Sequence, residues 1–310
     1  MSGRVLALSG GVGGAKLVLG LRHLCGPGNV TAIVNTGDDF DHMGLYVSPD
    51  VDTLLYTLSG QSNRTLGWGR ESETWSFMAA ATSLGAPDWF RLGDGDLALH
   101  VLRTQWMHLG ETLSTITARF AEAWNVGVTL LPMSDRRMAT LVETEEGVLP
   151  FQDYFVRRRC EPAVRAIRFE GADTAAPAPG VLDAILSADH DAIILAPSNP
   201  FLSIDPILAL PGVREALVRT ATPIVAVSPL VGGQAVKGPT DKLMRELGLP
   251  LTHSGIMRHY GAFLDGIVVD APDEIRAPGD LPTLVTDTMM VSLEDRIRVA
   301  RAACELARTL

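Results

Sequence analysis

The chain has 310 residues, with 26 Lys and Arg against 36 Asp and Glu, a formal net charge of −10. At 46% hydrophobic and 20% charged it is too apolar for a disordered chain, and too acidic for a non-specific nucleic-acid binder, which needs a basic face. Its three cysteines, Cys25, Cys160 and Cys304, are far apart and form no CxxC pair, which argues against a disulfide framework or a structural zinc site.

In chain order, Val5–Leu8 reads as a buried strand, Ala15–Leu24 as a helix and Thr31–Val34 as a second strand. A helix opens in Asp52–Leu58, and longer helical patterns follow at Glu71–Leu84, Asp96–Leu109 and Glu111–Trp124. Val128–Leu131 is again strand-like. Between Met138 and Gly171 apolar and polar residues alternate around a Glu-Gly turn, the mark of antiparallel strands. Short β-rich runs at Asp191–Leu195, Pro223–Val227 and Asp265–Val269 are separated by helical patterns, and Leu293–Leu310 closes the chain as a helix. Strands alternating with helices predict an α/β fold, a Rossmann-like parallel sheet with helices on both faces. The expectation is one domain over residues 1–310, with a helical insertion at about 67–125 and a small antiparallel β insertion at about 138–171. No run reaches the ~18 apolar residues of a membrane span. Glycines and Lys16 break the first apolar stretch where an export signal is continuous. A cytoplasmic protein with no membrane or nucleic-acid partner is expected.

In open α/β sheets ligands bind beyond the carboxyl ends of the strands. After the first strand comes Ser9-Gly10-Gly11-Val12-Gly13-Gly14-Ala15-Lys16. Glycines at a strand-to-helix turn let the backbone approach a ligand, and the helix N-terminus offers N–H groups to phosphate. Neither the Walker pattern nor GxGxxG fits, since Ala15 precedes Lys16, Leu17 follows it, and Lys16 stands where the last Gly of the dinucleotide pattern belongs. A tight turn alone needs fewer than four glycines, so Gly10, Gly11, Gly13, Gly14 and Lys16 are candidate phosphate-loop residues. A Cβ at Gly11 or Gly13 is expected to obstruct the phosphate. The second strand leads into Asn35-Thr36-Gly37-Asp38-Asp39, and Ser48-Pro49-Asp50-Val51-Asp52-Thr53 follows. Helix capping by Asp50 or Asp52 explains one of these acids; Asp38, Asp39, Asp50 and Asp52 together suit a hard cation such as Mg²⁺, which takes one or two carboxylates and leaves room for phosphates. The loop carrying Asp50 is expected to face solvent. Small and polar residues after two later strands, in Ala196-Pro197-Ser198-Asn199-Pro200 and from Ser228 to Thr240, are either helix entries or nucleotide contacts. His253, His259 and the other histidines lack metal-ligand spacing and read as surface or internally satisfied.

SGGVGGAK at Ser9–Lys16, NTGDD at Asn35–Asp39, SPDVDT at Ser48–Thr53, RLGDGDL at Arg91–Leu97 and VSPLVGGQAVK at Val227–Lys237, in this order, resemble the 2-phospho-L-lactate transferases of coenzyme F-420 synthesis. The similarity continues through Gly67–Arg70, Thr74-Trp75, Met133–Asp135, Phe151–Val156 and Pro197–Pro200. The resemblance implies transfer of a phospho-three-carbon acid (phospholactate, phosphoenolpyruvate or phosphoglycerate) from its guanosine diphosphate conjugate to the ribityl hydroxyl of the deazaflavin Fo, with release of GMP. It implies that Asp50 is catalytic beside Fo and the metal, and that Asp38 or Asp39 shares Mg²⁺ with Asp50 or Asp52. It further implies that Arg91 touches Fo, that the glycine turn with Ser198 and Asn199 faces the nucleotide, and that the enzyme is a homodimer. A related group with similar motifs binds nucleotide sugars in a regulatory role; the aromatic segments Gly67–Trp75 and Asp88–Arg91 favour the transferase, as they could wall a flat acceptor. The failed GxGxxG disfavours a nicotinamide oxidoreductase.

Overall fold

The computed structural model describes residues 3–63, 67–236, 238–270 and 281–310; Lys237, which ends one of the motifs above, lies outside them. β1 (Val5–Ser9) is apolar throughout and wholly buried, and it runs straight into α1 (Gly11–Cys25). The helix thus begins at the second glycine of the turn, four residues before the expected start. β2 (Val30–Val34) follows, then a hairpin of β3 (Phe40–His42) and β4 (Leu45–Val47). Its two-residue turn is Met43-Gly44, both at positive φ. Such turns are ordinarily announced by Asn-Gly, and Met at the first position hides this one.

α2 (Pro49–Ser59) starts with Pro at its first position, the place where a missing N–H costs nothing. α3 (Ser76–Ser83) is shorter than the Glu71–Leu84 pattern, because the Asp94 carboxylate accepts from Ser76 N, Phe77 N and Thr74 Oγ1 and fixes the helix start there. α4 (Leu97–His108) and α5 (Leu113–Ala123) complete the helical insertion, and β5 (Thr129–Pro132) re-enters the sheet. The alternating segment forms β6 (Ala139–Thr144), β7 (Gly147–Pro150) and β8 (Val164–Glu170), an antiparallel three-stranded sheet with β6 in the middle. Then come α6 (Val181–Leu186), β9 (Ala192–Leu195), a single wide turn at Pro200–Ile204, α7 (Asp205–Leu208) and α8 (Val213–Arg219). β10 (Ile224–Val227) leads through the short hairpin β11 (Leu230–Val231) and β12 (Gln234–Ala235) to α9 (Thr240–Glu246) and α10 (His253–Tyr260). β13 (Gly266–Val269), β14 (Thr283–Val285) and α11 (Leu293–Ala307) end the chain.

The seven strands β5-β2-β1-β9-β10-β13-β14 form one sheet, and every pair in it is parallel. Alternation in the strands sends Leu6, Leu8, Ile193 and Leu195 to one face, under α6 to α10 and the β insertion. It sends Val5, Ala7, Ile194 and Val225 to the other, under α1, α2, α5 and α11. On that second face α1 and α11 meet closely: a Cβ at Gly20 would lie 2.2 Å from the Arg296 carbonyl oxygen. The chain builds outward from β1 to β5, then returns to β9 on the other side of β1. The strand order therefore reverses between β1 and β9, and the crevice beyond their carboxyl ends is where such a sheet receives a ligand. Among the described residues no helix is long and apolar enough to cross a membrane.

Candidate active site

A cavity of about 540 Å³ opens at that reversal. Its floor is the glycine turn. Ser198, beyond β9, bridges the two strand ends: its hydroxyl donates to the Gly10 carbonyl at 2.7 Å and accepts from Gly10 N at 3.2 Å. Packing accounts for three of the four glycines. A Cβ at Gly10 would lie 2.4 Å from Asp50 Oδ2, at Gly13 2.6 Å from the Pro197 carbonyl oxygen, and at Gly14 2.3 Å from Ser9 Oγ. Gly11 differs: its φ is +63, and no atom lies within 4 Å of its Cβ position except Asp50 Oδ1, at 4.0 Å. The obstruction expected at Gly13 would thus fall on the protein's own backbone.

Asp50 sits in the first turn of α2 and is buried, not in an exposed loop as the sequence suggested. Gly11 N donates to its Oδ1 at 2.7 Å, and Asn35 Nδ2 donates to its Oδ2 at 2.9 Å. The same Asn35 nitrogen also donates to Asp38 Oδ1, so two carboxylates meet on one amide. Gly37 N fixes that amide by donating to Asn35 Oδ1 at 2.8 Å. Burial raises both acids. Asp50 is pushed up to about 6, with the Asn35 and Gly11 hydrogen bonds pulling the other way. Asp38 is raised further by the charges of Asp50 and Asp39 beside it.

The other two aspartates are engaged elsewhere. Ser48 Oγ donates to both oxygens of Asp39 at 2.8 Å and Tyr46 OH donates at 3.0 Å, while burial holds Asp39 well above the usual carboxylate range. Asp39 does not line the cavity. Asp52 takes a two-pronged contact from Arg103, whose guanidinium is wholly buried. His100 stands 3.7 Å from Asp52 and 3.2 Å from Asp96, and Tyr56 donates to Asp96. Tyr56, Asp96 and His100 of this group form one cavity wall, while Arg103 does not line it. In sequence only the group's i, i+3 and i, i+4 spacing in α4 could have hinted at it.

Among the described residues no three His, Cys, Asp or Glu side chains converge into a preformed metal cage. Asp38 and Asp50 nevertheless fit Mg²⁺: they are hard oxygen donors, turned to one cavity, whose shared partner is a neutral amide and whose ionisation burial resists. Mg²⁺ asks for one or two such carboxylates and completes its shell with phosphate and water. Lys16 lines the cavity and donates from Nζ to the Met290 carbonyl at 2.8 Å. Asn199 also lines it, while its side chain caps Phe201 N and Leu202 N and donates to Thr240 Oγ1.

The far end is aromatic. Trp68, half exposed, lies between two glycines at the rim with Phe90 and Arg91. Arg91 is exposed and its guanidinium lies 4.0 Å above the Trp75 ring. Phe151 and Phe155 stack at 5.3 Å and face the same space. They come from the segment between β7 and β8, where Gln152 Nε2 donates to the Asp38 carbonyl at 3.2 Å.

A family model described as "2-phospho-L-lactate transferase CofD" matches residues 5–289. Similar curated proteins include the phosphoenolpyruvate transferase of Streptomyces griseus, 43% identical over 98% of each chain. That of Mycobacterium sp. (strain JLS) is 41% identical over 92% of this chain and 94% of its own. A solved structure of a UPF0052 family member from Bacillus halodurans superposes with a TM-score of 0.63 at 18% identity, covering 97% of this chain and 98% of that one; that likeness speaks for the fold alone. The match begins at β1 and ends just short of α11, and takes in every lining residue of the cavity except Met290: the chain belongs to the 2-phospho-L-lactate transferase CofD family.

Proposed function

We propose that this transferase moves phosphoenolpyruvate from its guanosine diphosphate conjugate to the ribityl terminal hydroxyl of Fo, releasing GMP, in coenzyme F-420 biosynthesis. The family supports the reaction class, and the names of the relatives at 41–43% identity support phosphoenolpyruvate as the three-carbon acid. The observation that carries the reading is Asp50. It is a buried carboxyl with a pKa of about 6, placed between the first N–H of α1 and the Asn35 amide, in a cavity with a glycine turn at one end and aromatic rings at the other.

In the reaction the Fo hydroxyl oxygen forms a bond to the phosphorus that carries the enol acid. The anhydride bond from that phosphorus to GMP breaks, and GMP leaves with the electron pair. The hydroxyl proton goes to Asp50. In the metal-free site burial lifts Asp50 to about 6, so the carboxylate is ionised at neutral pH and able to accept it. The Gly10–Gly14 turn offers N–H groups of the first turn of α1 to the diphosphate. The Trp68, Phe90 and Arg91 rim receives the flat deazaflavin, with the guanidinium plane already stacked on Trp75. Mg²⁺, held by Asp50 and Asp38, would neutralise charge on the diphosphate.

Full-length protein incubated with Fo, the GDP-linked acid and Mg²⁺ is expected to yield the phospho-acid ester of Fo and one GMP per ester by liquid chromatography with mass detection. Absence of product, together with tight binding of a nucleotide sugar, would move the chain to a binding role.

A further inference from the structure

Asp96 stands at the N-cap of α4, where an aspartate ordinarily accepts from backbone N–H groups of the first turn. Its carboxylate makes no such bond. It lines the cavity instead, on the wall it shares with Tyr56 and His100. Tyr56 OH donates to Oδ1, and His100 Nε2 lies 3.2 Å from Oδ2. Burial works to raise Asp96, but His100, Tyr56 and the Arg103 charge outweigh it and hold the carboxyl below its ordinary value. The cavity thus has carboxylates of two kinds: Asp38 and Asp50 are raised, and Asp96 is lowered.

A fixed anion restricts what can lie against this wall. It repels the diphosphate and the carboxylate of the enol acid. It suits a neutral part of a substrate with hydroxyls to give, since a carboxylate has about four lone-pair sites and keeps room beside Tyr56 and His100. The proposed substrates offer two such parts, the ribose of the nucleotide and the ribityl chain of Fo. Chain connection puts Asp96 on the acceptor's side. Phe90 and Arg91 of the rim lead into its segment. Arg70, just beyond Trp68 and Gly69, pairs with Glu73 at 3.5 Å, and Glu73 accepts from Gly95 N–H at 2.7 Å. A Cβ at Gly95 would fall 2.1 Å from Arg70 Nη1, so the turn before Asp96 packs directly on the segment that carries Trp68. Tyr56 belongs to α2, the helix of Asp50, and stands roughly 9 Å further along it. The wall joins the rim to that helix, the path of a chain whose ring lies at the rim and whose terminal hydroxyl meets Asp50.

We infer that Asp96, positioned by Tyr56 and His100, accepts from the secondary hydroxyls of the ribityl chain and makes the enzyme selective for an acceptor that carries a polyol. The inference rests on the transfer to Fo proposed above. Asp96 touches the substrate without taking part in the bond changes, and Tyr56 and His100 are positioning residues.

The probe is an Fo analogue with a 5-hydroxypentyl chain in place of ribityl, which keeps the terminal hydroxyl and lacks the secondary ones. With full-length protein, the GDP-linked acid and Mg²⁺, kcat/KM for Fo is expected to exceed that for the analogue ~10-fold or more, the scale of a hydrogen bond to a charged group. Asp96→Ala should bring this ratio close to unity, and Asp96→Asn should reduce it. The asparagine variant keeps the side-chain size and an oxygen for Tyr56, so it carries the test if the alanine variant does not fold. Tyr56→Phe and His100→Gln should lower the same ratio through the Michaelis constant for Fo, whereas a merely structural role would lower both acceptors alike. The ratio is read within one protein, so a general loss of stability cannot imitate its change. An unchanged ratio in both Asp96 variants overturns the inference, as does a parent that uses the two acceptors equally well. Loss in the Asp96 variants of a parental preference for GDP over 2′-deoxy-GDP, read by calorimetric titration, would assign the carboxylate to the ribose and overturn it too. A parent that transfers to neither acceptor overturns the proposed reaction, and this inference with it.

Discussion

At the scale of single residues, Asp50 carries the strongest expectations. Asp50→Asn keeps the shape but puts an NH₂ against either Gly11 N–H or the Asn35 amide, both of which donate. Turnover should fall by ~10² or more, as for loss of a charge-stabilising group; unimpaired turnover at saturating Mg²⁺ would remove Asp50 from the chemistry. The pH dependence has a definite sign. Because burial raises the folded-state pKa to about 6, the native protein holds a proton that the unfolded chain releases near ~4. The Asp50 contribution to metal-free stability should therefore decline as pH rises from ~4 to about 6, and Asp38 and Asp39, also raised by burial, should extend the decline in the same direction. Urea midpoints across this window test it, and added Mg²⁺, which favours the ionised form, should flatten the decline. Arg91 is exposed and stacked on Trp75, so its contact with Fo is worth less than a buried one. Arg91→Ala should raise the Michaelis constant for Fo about 2- to 5-fold, in keeping with exposed cation–π contacts, and leave GDP titrations unchanged. Equal weakening of both ligands would mark a folding defect. Asp38 and Asp50 are legible as candidates because the first lies in the turn between β2 and β3 and the second in the first turn of α2. It conceals the separate fates of Asp39 and Asp52, since Ser48 and Arg103 are matched to them only by folding, and Arg103 lies 51 positions from its partner.

At the scale of elements, the parallel strands and the long helices are readable in the chain because their apolar runs are periodic and bounded by turns. Boundaries slip where a distant side chain decides them: Asp94 sets the start of α3, and the Ser198 contact with Gly10 lets α1 begin inside the glycine run. The two glycines most exposed to misreading, Gly11 and Gly13, now separate cleanly. Gly13→Ala drives a Cβ against the Pro197 backbone and should cost about 1–3 kcal/mol of stability, as overpacking does. Gly11→Ala meets open cavity at a positive φ; its strain is about 1–2 kcal/mol, and GDP affinity should fall out of proportion to it. Thermal melts paired with GDP titrations distinguish the two, and normal GDP binding by Gly11→Ala would remove the turn from the phosphate site. In α4, Arg103→Met leaves Asp52 buried without its partner, a loss of about 3–5 kcal/mol. Adding Asp52→Leu should recover much of it, and denaturant titration of the single and double variants checks this.

At the scale of the whole molecule, the cavity gathers side chains from Gly10 to Met290. The first helix of the fold rests on the last: α1 packs on α11, Gly20 abuts Arg296, and Lys16 reaches the Met290 carbonyl just before α11 begins. A chain emerging from the ribosome therefore makes its glycine turn early and completes the surface that supports it last. Until residues beyond 290 have emerged, α1 presents Leu17, Val18 and Leu21, all buried in the finished protein, without the α11 part of their cover. Nascent chains of this protein should thus be clients of holdase chaperones through most of their synthesis, acquiring nucleotide affinity only at the end of it.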